Sequence, residues 1–154
     1  MRKIPVVLSC SGKDMVAKEK SSNPVRVVIA DDNKEMRDMV IRILENEYEI
    51  VGAYADGQAL VDAAKQLKPE IGIIDISMPI MNGIHAVVEL NRLGSEMKVV
   101  FLTVNEDNDF VRAAFDAGAS AYVTKRNMAS DLLVALKETL AGRQFISQGC
   151  ELLP

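Results

Sequence analysis

From Val25 onward, short apolar runs alternate with longer segments in which apolar residues recur at helical spacing. Several of the apolar runs are almost continuous valine, isoleucine and leucine, which is typical of strands buried on both faces of a parallel sheet. The segments between them predict helices that cross from one strand to the next. The pattern therefore predicts an α/β fold.

The alternation predicts five strands and five helices. The predicted strands are Val25–Ala30, Glu49–Tyr54, Ile71–Ile76, Val99–Val104 and Ala121–Thr124. The predicted helices are Lys34–Glu45, Gln58–Leu67, Ile84–Leu93, Asn108–Ala117 and Met128–Ala141. Asp32 with Glu35 predicts a capping box for the first helix, and Asp107 predicts a cap for the fourth. Right-handed crossovers then give a doubly wound five-stranded parallel sheet of flavodoxin-like order 2-1-3-4-5, with helices on both faces.

The length of 154 residues suits one domain with a single core. The breaker run Ser21-Ser22-Asn23-Pro24 predicts a flexible N-terminal tail over residues 1–24. We expect the folded domain at 25–147 and a C-terminal tail or the start of a linker at 148–154. The basic start and the small residue before Cys10 resemble a lipoprotein export signal, but the apolar stretch is shorter than the roughly 7–15 residues that such signals need.

Composition narrows the classes of function. A net charge of -4 disfavours nucleic acid as a direct partner of this chain. The two cysteines, Cys10 and Cys150, lie near opposite ends and predict neither a disulfide framework nor a zinc site. The apolar runs are far shorter than the roughly 20 residues that span a bilayer. These features favour a protein of the reducing cytoplasm.

Polar residues lie at or just after the carboxyl ends of four of the five predicted strands. Asp31 and Asp32 follow the first strand, Asp75 lies in the third, Thr103 in the fourth, and Lys125 follows the fifth. Each alone has an ordinary explanation, such as a helix cap or a surface lysine. Because the carboxyl ends of parallel strands meet at one edge of the sheet, their joint occurrence predicts a functional site.

The chemistry that suits these groups is phosphoryl transfer to a carboxylate. Adjacent carboxylates repel unless a cation or a proton lies between them, and Mg²⁺ prefers hard oxygen ligands of this kind. Lys125 would supply a second positive charge, and the Thr103 hydroxyl would bond a phosphoryl oxygen. Asp75, already ionised at neutral pH, is left as the nucleophile.

The pattern resembles the receiver domain of two-component response regulators, from Val25 to about Ser147. The resemblance rests on Asp31-Asp32, on Asp75 with the turn residues Met78-Pro79 and Asn82-Gly83, on Thr103 and on Lys125. It implies a signalling phosphoacceptor that catalyses only its own phosphorylation and dephosphorylation. Asp75 would accept phosphoryl from the phosphohistidine of a sensor histidine kinase. Mg²⁺ would be held by Asp32, Asp75 and the backbone carbonyl of Ser77, with Asp31 acting largely through water.

The resemblance also implies a switch and a set of residues that tune the rate. Thr103 would move toward the phosphoryl group and Tyr122 would turn inward, which couples the site to the face formed by helix 4, strand 5 and helix 5. Ser77 and Asn105 occupy positions that tune hydrolysis of the aspartyl phosphate in this family. Val104 stands where the family usually has a small residue, so it could narrow access to Asp75 and slow phosphorylation.

The run A-G-R-Q-F-I-S, Ala141 to Ser147, resembles the close of the receiver in regulators of the nitrate-response type. In those proteins a helix-turn-helix DNA-binding domain follows. We therefore expect a receiver cut from a longer transcription regulator, with a stand-alone receiver as the alternative. DNA would be contacted only through such an output domain. Phosphorylation-linked homodimers are common in this family.

Three other functions compete with this interpretation. A phosphatase of the haloacid-dehalogenase type would want a second aspartate two residues after Asp75, where this chain has Ser77. A flavodoxin-like electron carrier would need a phosphate loop after the first strand, whereas D-D-N-K-E would repel a flavin phosphate. A receiver-like adaptor that binds partners without phosphorylation has Val104 as its support.

Overall fold

The computed structural model describes residues 23–152. The strands are β1 (Arg26–Ala30), β2 (Glu49–Tyr54), β3 (Ile71–Ile74), β4 (Lys98–Thr103), β5 (Ala121–Thr124) and β6 (Phe145–Ile146). The helices are α1 (Lys34–Leu44), α2 (Gly57–Leu67), α3 (Gly83–Arg92), α4 (Asn108–Asp116) and α5 (Met128–Leu140), with a 3-10 turn at Lys125–Asn127 before α5. Apart from Asn23 and Pro24, the predicted tail and the export-like start lie outside the described residues.

Within residues 23–152 the strands form one parallel sheet in the order β2-β1-β3-β4-β5-β6. The predicted order of the first five strands is confirmed, but the predicted count is wrong because a sixth strand is present. β6 consists of Phe145 and Ile146, which pair with Ala121 and Tyr122. Two residues are too few for an alternating pattern, so periodicity gave no indication of this strand.

The core lies in two layers because alternate strand residues face opposite sides of the sheet. On one side, Ile29 and Leu102 pack with α1 and α5. On the other side, Val28 and Phe101 pack with α2, α3 and α4. The sheet is therefore covered on both faces as predicted. No helix among the described residues is long and apolar enough to cross a membrane.

The start of α1 differs from the predicted capping box. Asn33, not Asp32, caps the helix, and its side-chain oxygen accepts a hydrogen bond from the Met36 N–H at 2.9 Å. The correction matters because Asp32 is left without the capping role. The predicted cap of α4 is confirmed, since the Asp107 carboxylate accepts from the Asp109 N–H at 2.8 Å.

The turn between β3 and α3 is shaped by close backbone packing. β3 ends at Ile74 rather than at the predicted Ile76, and the Asp75 N–H donates to the Ala30 carbonyl at 2.9 Å. The chain then returns so that the Gly83 N–H donates to the Ile76 carbonyl at 2.8 Å. A side-chain carbon at Gly83 would overlap the Asp75 carbonyl oxygen. Glycine at this position therefore lets the turn hold Asp75 at the edge of the sheet.

Candidate functional site

Three carboxylates meet at the carboxyl edge of the sheet. Asp31, Asp32 and Asp75 each offer an oxygen, and these atoms lie within 4.8 Å of one another. Asp31 and Asp75 are 3% and 5% exposed, whereas Asp32 faces solvent. The predicted convergence of the first and third strand ends is therefore observed.

Asp31 is fixed by contacts on each side. Its N–H donates to the Tyr54 carbonyl at 3.0 Å, which ties the end of β1 to the end of β2. Its Oδ1 accepts from the Asn33 N–H at 2.8 Å. The Arg37 guanidinium donates to its carbonyl at 2.7 Å. These bonds leave Oδ2 directed to another partner.

Lys125 is that partner, and it joins the two buried carboxylates. Its Nζ lies 2.7 Å from Asp31 Oδ2 and 3.1 Å from Asp75 Oδ2. The lysine side chain is 12% exposed, so the ion pairs are shielded from water. An ammonium group placed between two carboxylates offsets the repulsion that burial would otherwise magnify. The β5 end thus supplies the positive charge for the ends of β1 and β3.

The protonation equilibria reflect this arrangement. Burial raises the pKa of Asp75, and the hydrogen bond and charge of Lys125 act in the opposite direction, as does a hydrogen bond from Thr103. Burial alone would lower the pKa of Lys125, but the hydrogen bonds and the negative charges of Asp31 and Asp75 together outweigh burial and raise it. Lys125 therefore keeps its charge at the site.

Thr103 and Asn105 lie at and just after the end of β4, which also borders the site. Thr103 is fully buried at the end of β4. Its Oγ1 accepts from the Asn105 N–H at 3.3 Å and from the Asn105 side-chain amide at 3.2 Å. The same amide donates to the Ser77 Oγ at 3.4 Å, and the Ser77 N–H donates to Asp75 Oδ1 at 3.4 Å. Asn105 therefore connects the loops that follow β3 and β4.

Tyr122 extends this network below the loop that follows β4. It is fully buried, and its hydroxyl donates to the Asn105 carbonyl at 2.8 Å. Burial raises the pKa of Tyr122, so the hydroxyl keeps its proton and its role as donor. Val104, between Thr103 and Asn105 in the chain, is 68% exposed.

Sequence reasoning found the charged residues but missed the connecting role of Asn105. The Tyr122 hydroxyl bonds to the backbone carbonyl of Asn105. Because every residue has a backbone carbonyl, the residue types in the sequence could not predict this hydrogen bond. Also missed were the contacts of residues 147–152, which follow β6 and pack against the elements beside Tyr122. One indication of these contacts was available in the sequence, which is that the receiver-like region ends at Ser147, where this segment begins.

The fold and this arrangement define a doubly wound α/β protein with an acidic site at the carboxyl edge of its sheet, where three carboxylates could hold a cation. The family model described as the response regulator receiver domain matches residues 27–137. The chain belongs to the response regulator receiver family of two-component signalling.

Individual relatives agree with this assignment. The chain is 33% identical over 128 residues to the transcriptional regulatory protein DegU of Brevibacillus brevis, covering 82% of this chain and 54% of that protein. A solved LuxR-family response regulator from Aurantimonas sp. SI85-9A1 is 28% identical, with a TM-score of 0.78 over 82% of this chain and 91% of that one. The receiver domain of the putative response regulator NarL from Mycobacterium tuberculosis is 25% identical, with a TM-score of 0.74 over 78% and 98%.

These relatives support the predicted likeness to receivers of the nitrate-response type. The chain spans about half the length of the curated relatives that it matches, since it covers 54% of DegU and 58% of a GacA regulator from Pseudomonas viridiflava. The shared part is the receiver.

Proposed function

We propose that this chain is a phosphoacceptor whose Asp75 receives a phosphoryl group from the phosphohistidine of a sensor histidine kinase. The observation that carries the proposal is the ion-paired cluster at the carboxyl edge, in which Lys125 lies within 3.1 Å of both Asp31 and Asp75. A purely structural ion pair would need one carboxylate for one lysine. Here three carboxylates share the edge with one ammonium group, so the site retains negative charge that suits an added cation.

The donor set fits Mg²⁺. The three carboxylates offer hard oxygens within 4.8 Å of one another, and the exposed Asp32 leaves an approach from solvent. We assign Asp32, Asp75 and the Ser77 backbone carbonyl as ligands, with Asp31 acting largely through water. When bound, Mg²⁺ supplies positive charge that offsets the carboxylates and the phosphoryl oxygens.

The transfer step uses side chains that already lie together at the carboxyl edge. A carboxylate oxygen of Asp75 forms a bond to phosphorus as the phosphorus–nitrogen bond of the phosphohistidine breaks. The bonding electron pair stays with the imidazole nitrogen, and the ring takes up one proton from solvent, so the kinase histidine returns to its neutral form. Lys125 exchanges its contact with Asp75 for a phosphoryl oxygen, and the Thr103 hydroxyl donates to another.

Phosphorylation would then act on the switch pair. Thr103 reaches Tyr122 through Asn105, which bonds the threonine with its amide and the tyrosine with its carbonyl. A pull on Thr103 therefore reaches the buried tyrosine through two hydrogen bonds. Ser77, Val104 and Asn105 line the approach and would tune the rates of phosphoryl gain and loss.

The wider role is inferred from the relatives. DegU is a transcriptional regulatory protein, and we propose that this receiver, over residues 25–147, likewise controls a DNA-binding output domain, with 1–24 and 148–154 flanking it as tail and linker. The net charge of -4 does not suit direct DNA binding by this chain. A cytoplasmic setting is supported by two cysteines without disulfide spacing. Phosphorylation-linked dimerisation is part of the same proposal.

The test is the intact mass of the protein after incubation with Mg²⁺ and acetyl phosphate. We expect the parent to gain one phosphoryl group and Asp75→Asn to gain none. Asp116→Asn is the matched control, because Asp116 is an exposed aspartate on α4, and it should gain phosphoryl as the parent does. Omission of Mg²⁺ should abolish the gain, and Mg²⁺ alone should raise the Tm of the parent.

The alternative outcomes separate the hypotheses. Slow gain that Val104→Ala accelerates would establish the predicted restriction by Val104. Equal gain in Asp75→Asn and the parent would remove Asp75 from its role. If neither Mg²⁺ binding nor phosphoryl gain is seen, the phosphoacceptor proposal fails and the adaptor that works without phosphorylation takes its place.

A further inference from the structure

Residues 145–152, here called the C-terminal segment, run along the free side of β5. Phe145 and Ile146 form β6, and the Ser147 N–H then donates to the Tyr122 carbonyl at 2.9 Å. The segment continues to α4, where the Glu151 N–H donates to Asn108 Oδ1 at 3.4 Å. It therefore lies on the face formed by α4, β5 and α5.

Ser147 anchors the segment from inside the fold. It is 1% exposed, and its hydroxyl donates to Asp131 Oδ2 at 2.7 Å. The serine Oγ also accepts from the Thr124 N–H at 3.1 Å. The serine thus satisfies a carboxylate of α5 and a backbone donor of β5 together. Loss of its hydroxyl would leave both of those groups without this partner, which is costly for buried groups.

Cys150 is buried in the part of the core that contains Tyr122. It is 8% exposed and belongs to the same apolar cluster as the tyrosine. Its Sγ lies 4.0 Å from the carbonyl oxygen of Glu106, the residue that follows Asn105. Glu106 is in turn ion-paired at 2.7 Å with Arg126, directly after Lys125. The C-terminal segment therefore touches the loop after β4 and the buried tyrosine together.

This packing makes the position of the Tyr122 ring and the position of the C-terminal segment depend on each other. The Tyr122 ring is inward, its hydroxyl is bonded to Asn105, and Cys150 packs in the cluster around it. An outward ring would have to take space on the face that the C-terminal segment occupies. Docking of the segment therefore favours the inward tyrosine, and the inward tyrosine favours docking.

We infer that the C-terminal segment is the intramolecular occupant of the α4–β5–α5 face, and that phosphorylation of Asp75 tightens its docking. The inference rests on the proposed function for the phosphorylation, and on the contacts above for the docking. Because coupling between two equilibria is reciprocal, a docked segment also favours the state of the loop that the phosphorylated site prefers. A partner that needs this face must displace the segment.

The test uses Cys150 as its own probe, in a Cys10→Ser background that leaves it the sole thiol. The rate of modification by N-ethylmaleimide, followed by intact mass, measures release of the segment. Ser147→Ala should raise this rate about tenfold, because a buried hydroxyl with two partners is removed. Gln148→Ala, an exposed neighbour, is the matched control and should stay within about twofold of the parent.

Two further arms test the coupling. Tyr122→Phe, which removes the bond to Asn105, should raise the rate about fivefold. Phosphorylation by acetyl phosphate and Mg²⁺ should lower the rate at least about fivefold in the parent and leave it unchanged in Asp75→Asn.

The outcomes distinguish this inference from the proposed function. A parent that gains the phosphoryl mass but keeps its modification rate, or is modified faster, would overturn the coupling while the proposed function stands. A parent that gains no phosphoryl mass contradicts the proposed function and removes the phosphorylation-linked part of the inference with it. The docking is then decided by the variants, and Ser147→Ala and Tyr122→Phe rates equal to that of Gln148→Ala would overturn it.

Discussion

The two edges of the sheet carry the same kinds of charged residue in opposite circumstances. At the amino edge, Glu49, Glu70 and Lys98 are exposed, and Glu70 accepts from the Arg26 N–H at 3.1 Å. At the carboxyl edge, Asp31 and Asp75 are nearly fully buried around Lys125. Charges in solvent contribute little to stability, whereas buried charges depend strongly on their partners. Burial with convergence, rather than charge itself, distinguishes the functional edge.

The loops at the two edges explain this difference. At the carboxyl edge the loops after β3 and β4 bond one another, as Asn105 does with Ser77. At the amino edge a cleft of about 560 Å³ opens between the ends of α2 and α3, lined by Lys65, Glu70 and Met97 among others. The cleft lies away from the buried charges of Asp31, Asp75 and Lys125.

The largest contrast between the edges is expected for their lysines. Lys125→Met leaves Asp31 and Asp75 buried without their cation and should lower the free energy of unfolding by about 3 kcal/mol in the absence of divalent ions. Lys98→Met, at the exposed start of β4, should change it by no more than about 0.5 kcal/mol. Urea unfolding measures both.

Repeating the unfolding measurements in Mg²⁺ separates Lys125→Met further from Lys98→Met. In saturating Mg²⁺ the loss for Lys125→Met should shrink, because a cation at the acidic cluster replaces part of the missing charge and binding to the native state stabilises it. Lys98→Met should show no such recovery. Equal losses for the two lysines, with or without Mg²⁺, would contradict the view that the carboxyl edge is a charge-balanced site.

Much of this organisation was available from the sequence, and the reasons are specific. Asp31, Asp32, Asp75, Thr103 and Lys125 were found because each stands at or just beyond the end of an apolar run, and parallel strands bring such ends together. The sixth strand was missed because Phe145 and Ile146 have no periodicity to read. The Asn33 cap was missed because Asp32 with Glu35 fits a capping pattern equally well and only backbone geometry separates them.

The links between residues were less predictable than the residues themselves. The bond from Tyr122 to the Asn105 carbonyl depends on backbone position, not on side-chain type. The burial of Ser147 and Cys150 depends on a segment that continues past the last helix and turns along β5. Long-range packing of this kind leaves no local pattern in the sequence.

A second contrast concerns glycines at the two edges. Gly83 starts α3 beside the Asp75 backbone, where a side-chain carbon would overlap the carbonyl oxygen. Gly83→Ala should therefore lower the free energy of unfolding by about 2 kcal/mol, although alanine is the better helix former. It should also weaken Mg²⁺ binding, measured by isothermal titration calorimetry, because Asp75 must shift.

Gly94, after α3 on the way to the amino edge, provides the control. It has a φ of 84° and open space around it. Gly94→Ala should cost about 1 kcal/mol through backbone strain alone and leave Mg²⁺ binding unchanged. If Gly83→Ala proves no more costly than Gly94→Ala, close packing of the turn is not what positions Asp75.

The smallest contrast concerns two residues other than glycine that adopt left-handed backbone angles. Ile80, in the turn after Asp75, has a φ of 69° and is 82% exposed, while Lys68, which ends α2 at the amino edge, has a φ of 48°. A β-branched side chain suits this region poorly and Ile80 buries little surface in return. Ile80→Gly should therefore raise the free energy of unfolding by about 0.5–1 kcal/mol, the relieved strain less the added freedom of the unfolded chain. Lys68→Gly should gain less, because its side chain is unbranched, and urea unfolding of the two variants side by side measures the difference. A loss in Ile80→Gly would mean that the isoleucine makes packing contacts at the carboxyl edge that outweigh its strain.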